Sequence, residues 1–228
     1  MEILNSQVSC YNYPMPLRVL YEDNHLIAVY KPAGVLVQGD ITGDPNLMDQ
    51  VKEYLKNKYH KPGNVFLGLL HRLDRPVAGI VLFAKTSKGA ARLSEQIRNH
   101  QVKKIYQAEV LGKMPKNSGT LINYLAKDEV RKIALVFDAP KAKSQKAELK
   151  YKVIKQNKDT SLLEIELVTG RFHQIRAQLA HIKHPIKGDV KYGATKSLPD
   201  GKIALYATSL TFKLPTQDKM QTILIKDL

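Results

Sequence analysis

A carboxylate lies in a strongly polar segment between two apolar runs of the sequence. Asp74 is flanked by Arg72 and Arg75, and the apolar runs cover residues 65–70 and 80–84. The runs predict two core strands, so the segment between them is a loop whose ends are held by the core. An ionised, positioned carboxylate can act as a nucleophile or a base. On this local pattern alone, a structural salt bridge to an arginine is the better explanation of Asp74.

Two further side chains have a chemical interpretation. Tyr106 lies on a predicted strand beside Lys103 and Lys104, where an aromatic ring can stack on a nucleobase. Arg176 lies on a predicted helix and can pair with a carboxylate through two hydrogen bonds. Taken one at a time, a core tyrosine and a surface arginine explain these residues more simply.

Metal chemistry has little support in the sequence. His181 and His184 are spaced as a pair of ligands, but no third ligand accompanies them, so we expect no metal site. The sequence contains no P-loop, Rossmann glycine fingerprint, zinc-protease motif or serine nucleophile elbow.

The periodicity of apolar residues predicts which elements position these side chains. Three helices are expected, the third with Phe172, Ile175, Leu179 and Ile182 on one buried stripe. Strands dominate the middle and the end of the chain, which predicts an α+β fold on a mixed, mostly antiparallel sheet. The expected helices cover residues 47–59, 86–99 and 171–182, and the expected strands cover residues 25–31, 65–70, 80–84, 105–110, 133–137, 148–154, 162–168 and 203–212.

Composition and charge restrict the kind of protein. We expect the 228 residues, with a formal charge of +15, to form a single domain, residues 1–228. Residues 98–158 hold 15 Lys and Arg against 5 Asp and Glu, which indicates either a polyanionic partner or a solvated lysine face. Cys10 is the only cysteine, and neither a secretory signal nor a membrane-spanning apolar stretch is present, so we expect a cytoplasmic protein without membrane contact.

Taken together, five segments resemble the motifs of the RluA family of RNA pseudouridine synthases, in the family's order. The resemblance extends over residues 17–214, without the S4-type RNA-binding domain that many members carry. The five segments are EDNHLIAVYKPAG (22–34), HRLD (71–74), KIYQAEV (104–110), TGRFHQIR (169–176, continued by PIKGD at 185–189) and the last strand, with LYA (205–207) and LTF (210–212).

The resemblance implies an isomerase that converts uridine in ribosomal or transfer RNA to pseudouridine without cofactor or metal. Asp74 is then the essential nucleophile or electrostatic partner, and the choice between attack on the ribose C1′ and attack on the base stays open. Arg176 pairs with Asp74 and keeps it ionised and oriented. Tyr106 packs on the target base and can serve as the general base for the C5 proton. RNA is the expected partner and a monomer the expected state.

The resemblance also implies a set of substrate-binding residues. Arg72 approaches the RNA backbone, and Leu205 lines the uracil pocket. The remaining substrate-binding candidates are His71, Arg171, His173 and Gln174. The sequence departs from the family pattern at Val77-Ala78, where Thr-Ser is common, and at Gln178, where histidine is common.

Two other functions compete with the synthase. The first is a non-catalytic RNA-binding or assembly protein on the same fold, which would not need Asp74, Tyr106 and Arg176 together. The second is a phosphodiester-cleaving enzyme with His71 and His173 as acid and base.

Overall fold

A computed structural model of the protein describes residues 16–225, so Cys10 lies outside the described part of the chain. The α-helices are α1 (Leu47–Lys58), α2 (Ser87–Arg98) and α3 (Gln174–His181). Two short 3₁₀ helices follow at Val190–Tyr192 and Pro199–Gly201. The strands are β1 (Val19–Glu22), β2 (Leu26–Lys31), β3 (Gly68–Leu69), β4 (Ala78–Ala84), β5 (Lys103–Leu111), β6 (Ser118–Asp128), β7 (Ile133–Phe137), β8 (Gln145–Gln156), β9 (Thr160–Leu167), β10 (Leu205–Lys213) and β11 (Met220–Leu224).

All eleven described strands belong to one sheet. Its order is β1-β2-β4-β10-β5-β9-β8-β6-β7, with β3 paired to β4 and β11 paired to β10. Only β4 and β10 run parallel; the other described pairings are antiparallel. The predicted α+β fold with a mixed, mostly antiparallel sheet is therefore confirmed.

Strand β10 joins the two halves of the sheet. It lies between β4, which belongs to the first part of the chain, and β5, which begins the second part. Gly79 of β4 has a φ of +132°, and a Cβ there would collide with the backbone of Ala207 on β10. Only glycine permits so close an approach of the two strands. The junction therefore brings the start of β4 and the start of β10 together.

The apolar side chains of β4 alternate between two cores. Val81 and Phe83 pack into the core that includes Leu47, Val51 and Leu55 of α1. Ile80, Leu82 and Ala84 pack on the other face of the sheet with Leu93 of α2. Burial on both faces explains why the sequence of β4 is an uninterrupted apolar run. The strand provides a rigid support for the loop that precedes it.

Local signals in the sequence fix the ends of α1 and α2. The side chain of Asn46 caps α1 by accepting a hydrogen bond from the amide of Asp49, and Thr86 caps α2 by accepting from the amide of Gly89. Both caps satisfy amides that the first turn of a helix leaves unpaired. No helix within residues 16–225 is long and apolar enough to cross a membrane.

Two of the expected elements differ from the structure. In the range 65–70 only Gly68–Leu69 forms a strand. The predicted helix over 171–182 begins later, at Gln174, because His173 has a left-handed backbone with φ of +50°. Phe172 thus lies before the helix and is 38% exposed, so its expected place on the buried stripe is wrong.

Candidate active site

Asp74 lies at the end of the loop that leads into β4. Its carbonyl accepts a hydrogen bond from the amide of Val77 at 3.0 Å. The carbonyl of the next residue, Arg75, accepts from the amide of Gly34 at 2.8 Å and from Nζ of Lys31 at 3.1 Å. The backbone on both sides of the carboxylate is therefore fixed, while the Asp74 side chain remains 29% exposed.

Arg176 of α3 provides the cationic partner of Asp74. Its NH1 donates to Oδ2 of Asp74 at 3.0 Å. Its Nε and NH2 donate to the two carboxylate oxygens of Asp189, at 2.7 and 2.9 Å. Burial alone would lower the pKa of Arg176, but the bonds to Asp189 and the charge of Asp74 outweigh burial and raise it. The guanidinium is therefore a permanent, oriented cation beside Asp74.

One oxygen of Asp74 has no hydrogen-bond partner in the described part of the chain. Within residues 16–225, no group donates a hydrogen bond to Oδ1, whereas Oδ2 meets Arg176 and lies 3.5 Å from Nε2 of His173. An anionic oxygen that is oriented but uncommitted can meet an incoming substrate.

His173 forms the wall beside the carboxylate. Its Nδ1 lies 2.9 Å from the hydroxyl of Tyr192, and that hydroxyl accepts from the amide of Ala134 at 2.7 Å. The tautomer with the proton on Nε2 lets Tyr192 donate to Nδ1 and directs the histidine proton toward Asp74. Burial lowers the pKa of His173 to about 4, although Asp74 opposes the shift. His173 is therefore neutral at neutral pH.

Tyr106 and Leu205 form the apolar side of the site. Tyr106 on β5 pairs in register with Ala207, two residues beyond Leu205 on β10. Both side chains are buried, and burial, followed by the charge of Asp74, raises the pKa of Tyr106. The central strands thus place a neutral aromatic ring and an aliphatic side chain next to the carboxylate.

All nine site residues expected from the sequence line one cavity of about 570 Å³. Eleven further residues complete its lining, among them Phe172 and Lys104. The nine are His71, Arg72, Asp74, Tyr106, Arg171, His173, Gln174, Arg176 and Leu205. The loop before β4, strands β5 and β10, and the start of α3 therefore converge, although they lie far apart in the sequence.

The nine residues are not equally available to a substrate. The amide of Gln174 is used inside the protein, where Oε1 accepts from Thr169 and Arg171 and Nε2 donates to the carbonyl of Glu148. Nε2 of His71 accepts from the amide of Leu82 at 3.1 Å. Gln174 and His71 thus hold the cavity wall in shape. Of the two arginines, Arg72 is exposed and Arg171 is half-buried.

Three residues in this region were not assigned by sequence reasoning. Asp189 ends the PIKGD segment and Tyr192 follows three residues later, yet nothing local indicated that one would bind Arg176 and the other His173. Lys31 is fully buried and donates to the carbonyls of Pro32, Val35 and Arg75. Its signal was a lysine at the end of an otherwise apolar strand.

Of the positions that depart from the family pattern, Val77 lines the cavity, whereas Ala78 and Gln178 do not. Val77 and Ala78 are buried. Gln178 is also buried, and its Nε2 donates to Oδ1 of Asn123 on β6 at 2.8 Å. These positions therefore contribute to packing and to the attachment of α3. The histidine pair has other partners, since His181 meets Asp138 and His184 meets the carbonyl of Leu111.

The site lies in a region that is similar to known proteins. The family model described as RNA pseudouridylate synthase matches residues 25–181. The chain is 33% identical to the ribosomal large subunit pseudouridine synthase D of Zymomonas mobilis, over 90% of this chain and 67% of that protein. It is 35% identical to the tRNA pseudouridine synthase C of Haemophilus ducreyi, over 88% of this chain and 87% of that one.

The fold comparison agrees with the sequence comparison. The human RNA pseudouridylate synthase domain containing 4 superimposes with a TM-score of 0.76 at 23% identity, over 92% of this chain and 88% of that structure. The curated relatives differ in length. The part matched by this chain ranges from 58% of one relative's length to 87% of another's.

Proposed function

The chain belongs to the RNA pseudouridylate synthase family, as its motifs predicted, and from this membership we propose that it isomerises uridine to pseudouridine in ribosomal or transfer RNA. The reaction exchanges the bond between C1′ and N1 for a bond between C1′ and C5. The proton on C5 leaves to solvent, and N1 gains a proton. Of the two relatives named above, one is named for ribosomal RNA and the other for transfer RNA.

The free oxygen of Asp74 is the observation that supports this proposal most strongly. We assign to it the role of nucleophile or electrostatic partner at the reacting uridine. Arg176 keeps the carboxylate ionised, and Asp189 keeps Arg176 in place through two hydrogen bonds. A carboxylate at the floor of a cavity of about 570 Å³ reaches a base only when that base leaves its stack.

Tyr106 and Leu205 suit the walls that an unstacked uracil needs. We propose that the Tyr106 ring packs on the base and that its hydroxyl takes the proton from C5. Since burial raises the pKa of Tyr106, the phenol is protonated at neutral pH. The hydroxyl must therefore release its own proton to water in the cavity as it accepts the one from C5.

Replacement of Tyr106 by phenylalanine separates these two roles. Tyr106→Phe is expected to fold and to bind RNA normally, because the ring is retained. Its rate of product formation is expected to fall by at least about 10²-fold, the usual contribution of a general acid–base group. Full activity of the variant would leave packing as the only role of Tyr106.

The competing functions receive less support from the site. Burial lowers the pKa values of His71 and His173 to about 4, so neither histidine is a proton donor at neutral pH. RNA cleavage by this pair of histidines would require one of them to act as a general acid, and neither is protonated to do so. A pure binding protein would not need a carboxylate with a free oxygen held by a doubly anchored arginine.

Tritium release from uracil C5 tests the proposed reaction directly. Unmodified ribosomal and transfer RNA labelled at C5 are each incubated with wild type and with Asp74→Asn. Release by wild type alone, from one RNA class, establishes the reaction and identifies the substrate class. No release from either RNA, with tight binding retained, would support the binding protein, and strand scission on a gel would support the nuclease.

We also propose that the enzyme acts as a monomer in the cytoplasm. A strongly basic chain with one cysteine suits a reducing compartment rich in RNA. Light scattering during size-exclusion chromatography measures the mass, and a dimer would contradict this part of the proposal.

A further inference from the structure

Phe172 is an exposed aromatic residue at the cavity. Its side chain is 38% exposed and lines the same cavity as Asp74. The left-handed backbone of His173, with φ of +50°, turns the chain just before α3. Phe172 therefore lies outside the helix and does not reach the core.

One face of the Phe172 ring is covered by the imidazole of His173 and the other by the ammonium of Lys127. The rings of Phe172 and His173 stack with centroids 3.8 Å apart and planes 19° apart. Nζ of Lys127 lies 5.2 Å from the centroid of Phe172. Because the imidazole occupies one face at stacking distance, the ammonium must lie over the other. Among residues 16–225, the ammonium of the exposed Lys127 pairs only with the exposed Glu129, so it can leave that face at little cost.

The stack connects this ring to the proposed catalytic carboxylate. His173 lies between Phe172 and Asp74, and its Nε2 is 3.5 Å from Oδ2 of Asp74. The open face of Phe172 is therefore one ring thickness beyond the wall of the site. That spacing matches a neighbour of the reacting nucleotide rather than the nucleotide itself.

Arg171 adds a second cation to the lining of the same cavity. Its Nε donates to the carbonyl of Lys146 at 3.0 Å, which fixes the guanidinium plane. Its two terminal nitrogens have no hydrogen-bond partner in the part of the chain that is described, residues 16–225. An exposed aromatic face with cations in the same region is the combination that binds an unpaired base together with its phosphate.

We propose that Phe172, Lys127 and Arg171 form a subsite for the nucleotide next to the target uridine. The base of that nucleotide stacks on the face of Phe172 that Lys127 covers in the free protein, and the two cations turn to its phosphate. The subsite rests on the proposed function only in that a uridine occupies the cavity beside Asp74. Because of this subsite, the affinity of the enzyme for RNA depends on whether the neighbouring base is present and unstacked.

A coupling measurement between protein and RNA tests the subsite. The RNAs are short hairpins with one loop uridine and an abasic residue at the position before it or after it. Wild type is expected to bind one of the two abasic hairpins about tenfold more weakly than the intact hairpin, the usual size of one base–aromatic stack. Phe172→Leu is expected to bind the intact hairpin about tenfold more weakly but to be indifferent to the abasic change, since the contact is already lost.

Two control variants keep this test specific. Phe172→Tyr keeps the aromatic plane and is expected to stay within about twofold of wild type. Phe66 is 52% exposed and does not line the cavity, so Phe66→Leu removes a comparable aromatic ring and is expected to leave binding unchanged. A hairpin with 2-aminopurine at the sensitive position gives a second readout, because its fluorescence is quenched by stacking on wild type and not on Phe172→Leu.

The outcomes separate the subsite from the proposed reaction. Equal affinity of wild type and Phe172→Leu for every hairpin, or an equal abasic penalty in both, overturns the subsite even if wild type releases tritium. Coupling between Phe172 and one neighbouring base supports it even if no tritium is released, and in that case the proposed reaction alone has failed.

Discussion

A carboxylate cluster lies at each end of β4, and the two clusters differ in the number of hydrogen-bond donors that the carboxylate meets. Beyond the far end, Glu22 accepts hydrogen bonds at 2.7 Å from Lys58, Lys85 and Tyr59, and at 3.2 Å from Tyr54. Its side chain is 9% exposed. Before the near end, Asp74 has a strong donor on one oxygen only.

The number of donors distinguishes a carboxylate that holds the fold from one that is available for chemistry. Burial opposes ionisation of Glu22, but its bonds to Lys58, Lys85 and Tyr59 lower its pKa to about 2. Both of its oxygens are in use, so nothing remains for a ligand. At Asp74 the protein provides one cation and leaves the second oxygen free. Ion pairs thus stabilise the fold at one end of the strand, and at the other end they orient a carboxylate that can still meet a ligand.

Loss of the Asp74 charge is expected to have the largest effect and to affect turnover alone. Asp74→Asn should reduce tritium release by at least about 10⁴-fold, as for other residues that act directly on the substrate. The melting temperature should change by only a few degrees, because Asp74 is partly exposed and makes a single strong bond. A variant that unfolds instead would show that Asp74 resembles Glu22 in function.

Asp189→Asn tests whether the anchoring of Arg176 matters for chemistry. The amide keeps the shape of the carboxylate but loses its charge and one acceptor, so Arg176 is free to rotate away from Asp74. Turnover is expected to fall by about 10²-fold, the cost of a misplaced reactive group. RNA affinity, measured by filter binding, should remain unchanged. A parallel loss of affinity would place Asp189 in RNA binding instead.

Glu22→Gln is expected to show the opposite pattern. Removal of one partner from a nearly buried ion cluster costs on the order of 3 kcal/mol of unfolding free energy, while turnover per folded molecule stays at the wild-type value. Urea unfolding at pH 7 and at pH 3 measures the effect. Because the folded pKa is lowered from 4.5 to about 2, this stabilisation is complete above about pH 4.5 and is lost as the pH falls toward 2. The difference between wild type and variant should therefore shrink at pH 3, and a constant difference would assign it to packing.

Charge reversal on the lysine face is expected to have the smallest effect. The side chains of Lys141, Lys143 and Lys146 are exposed. Their replacement by glutamate should weaken RNA binding about tenfold at physiological salt and make the salt dependence shallower, without a change in turnover at saturating RNA. The same reversal at the exposed Lys56, Lys61 and Lys88 is the matched control. Equal effects of the two sets would identify the face as a solvated surface.

The sequence predicted best those elements that depend on local signals. The apolar run of β4 and the caps Asn46 and Thr86 determine their elements within a few residues. Strand β6 was not predicted, because its pattern is inverted: Asn123 is buried there, while the neighbouring Ile122 is 49% exposed. The partner that makes this arrangement favourable is Gln178, 55 residues away.

The site could be predicted from the sequence only in part. The family motifs predicted nine site residues, and in the structure all nine line one cavity. The roles within that set depend on distances that no motif contains. The exposure of Phe172 follows from the left-handed turn at His173. The hydrogen bonds of Gln174 and His71 within the cavity wall, and the bond from Arg176 to Asp189, depend on contacts between distant segments.

The central position of β10 has a consequence for the order in which the molecule assembles. Asp74 and Arg176 are 102 residues apart in the sequence, and they meet only where β10 joins the halves of the sheet. Contacts between distant segments form slowly, since the intervening chain must first lose its freedom. The two larger cores each contain side chains from both halves, so before this junction closes neither half has a complete core or a working site. During refolding, catalytic activity should therefore return only with the final docking of the two halves, after most of the secondary structure has formed.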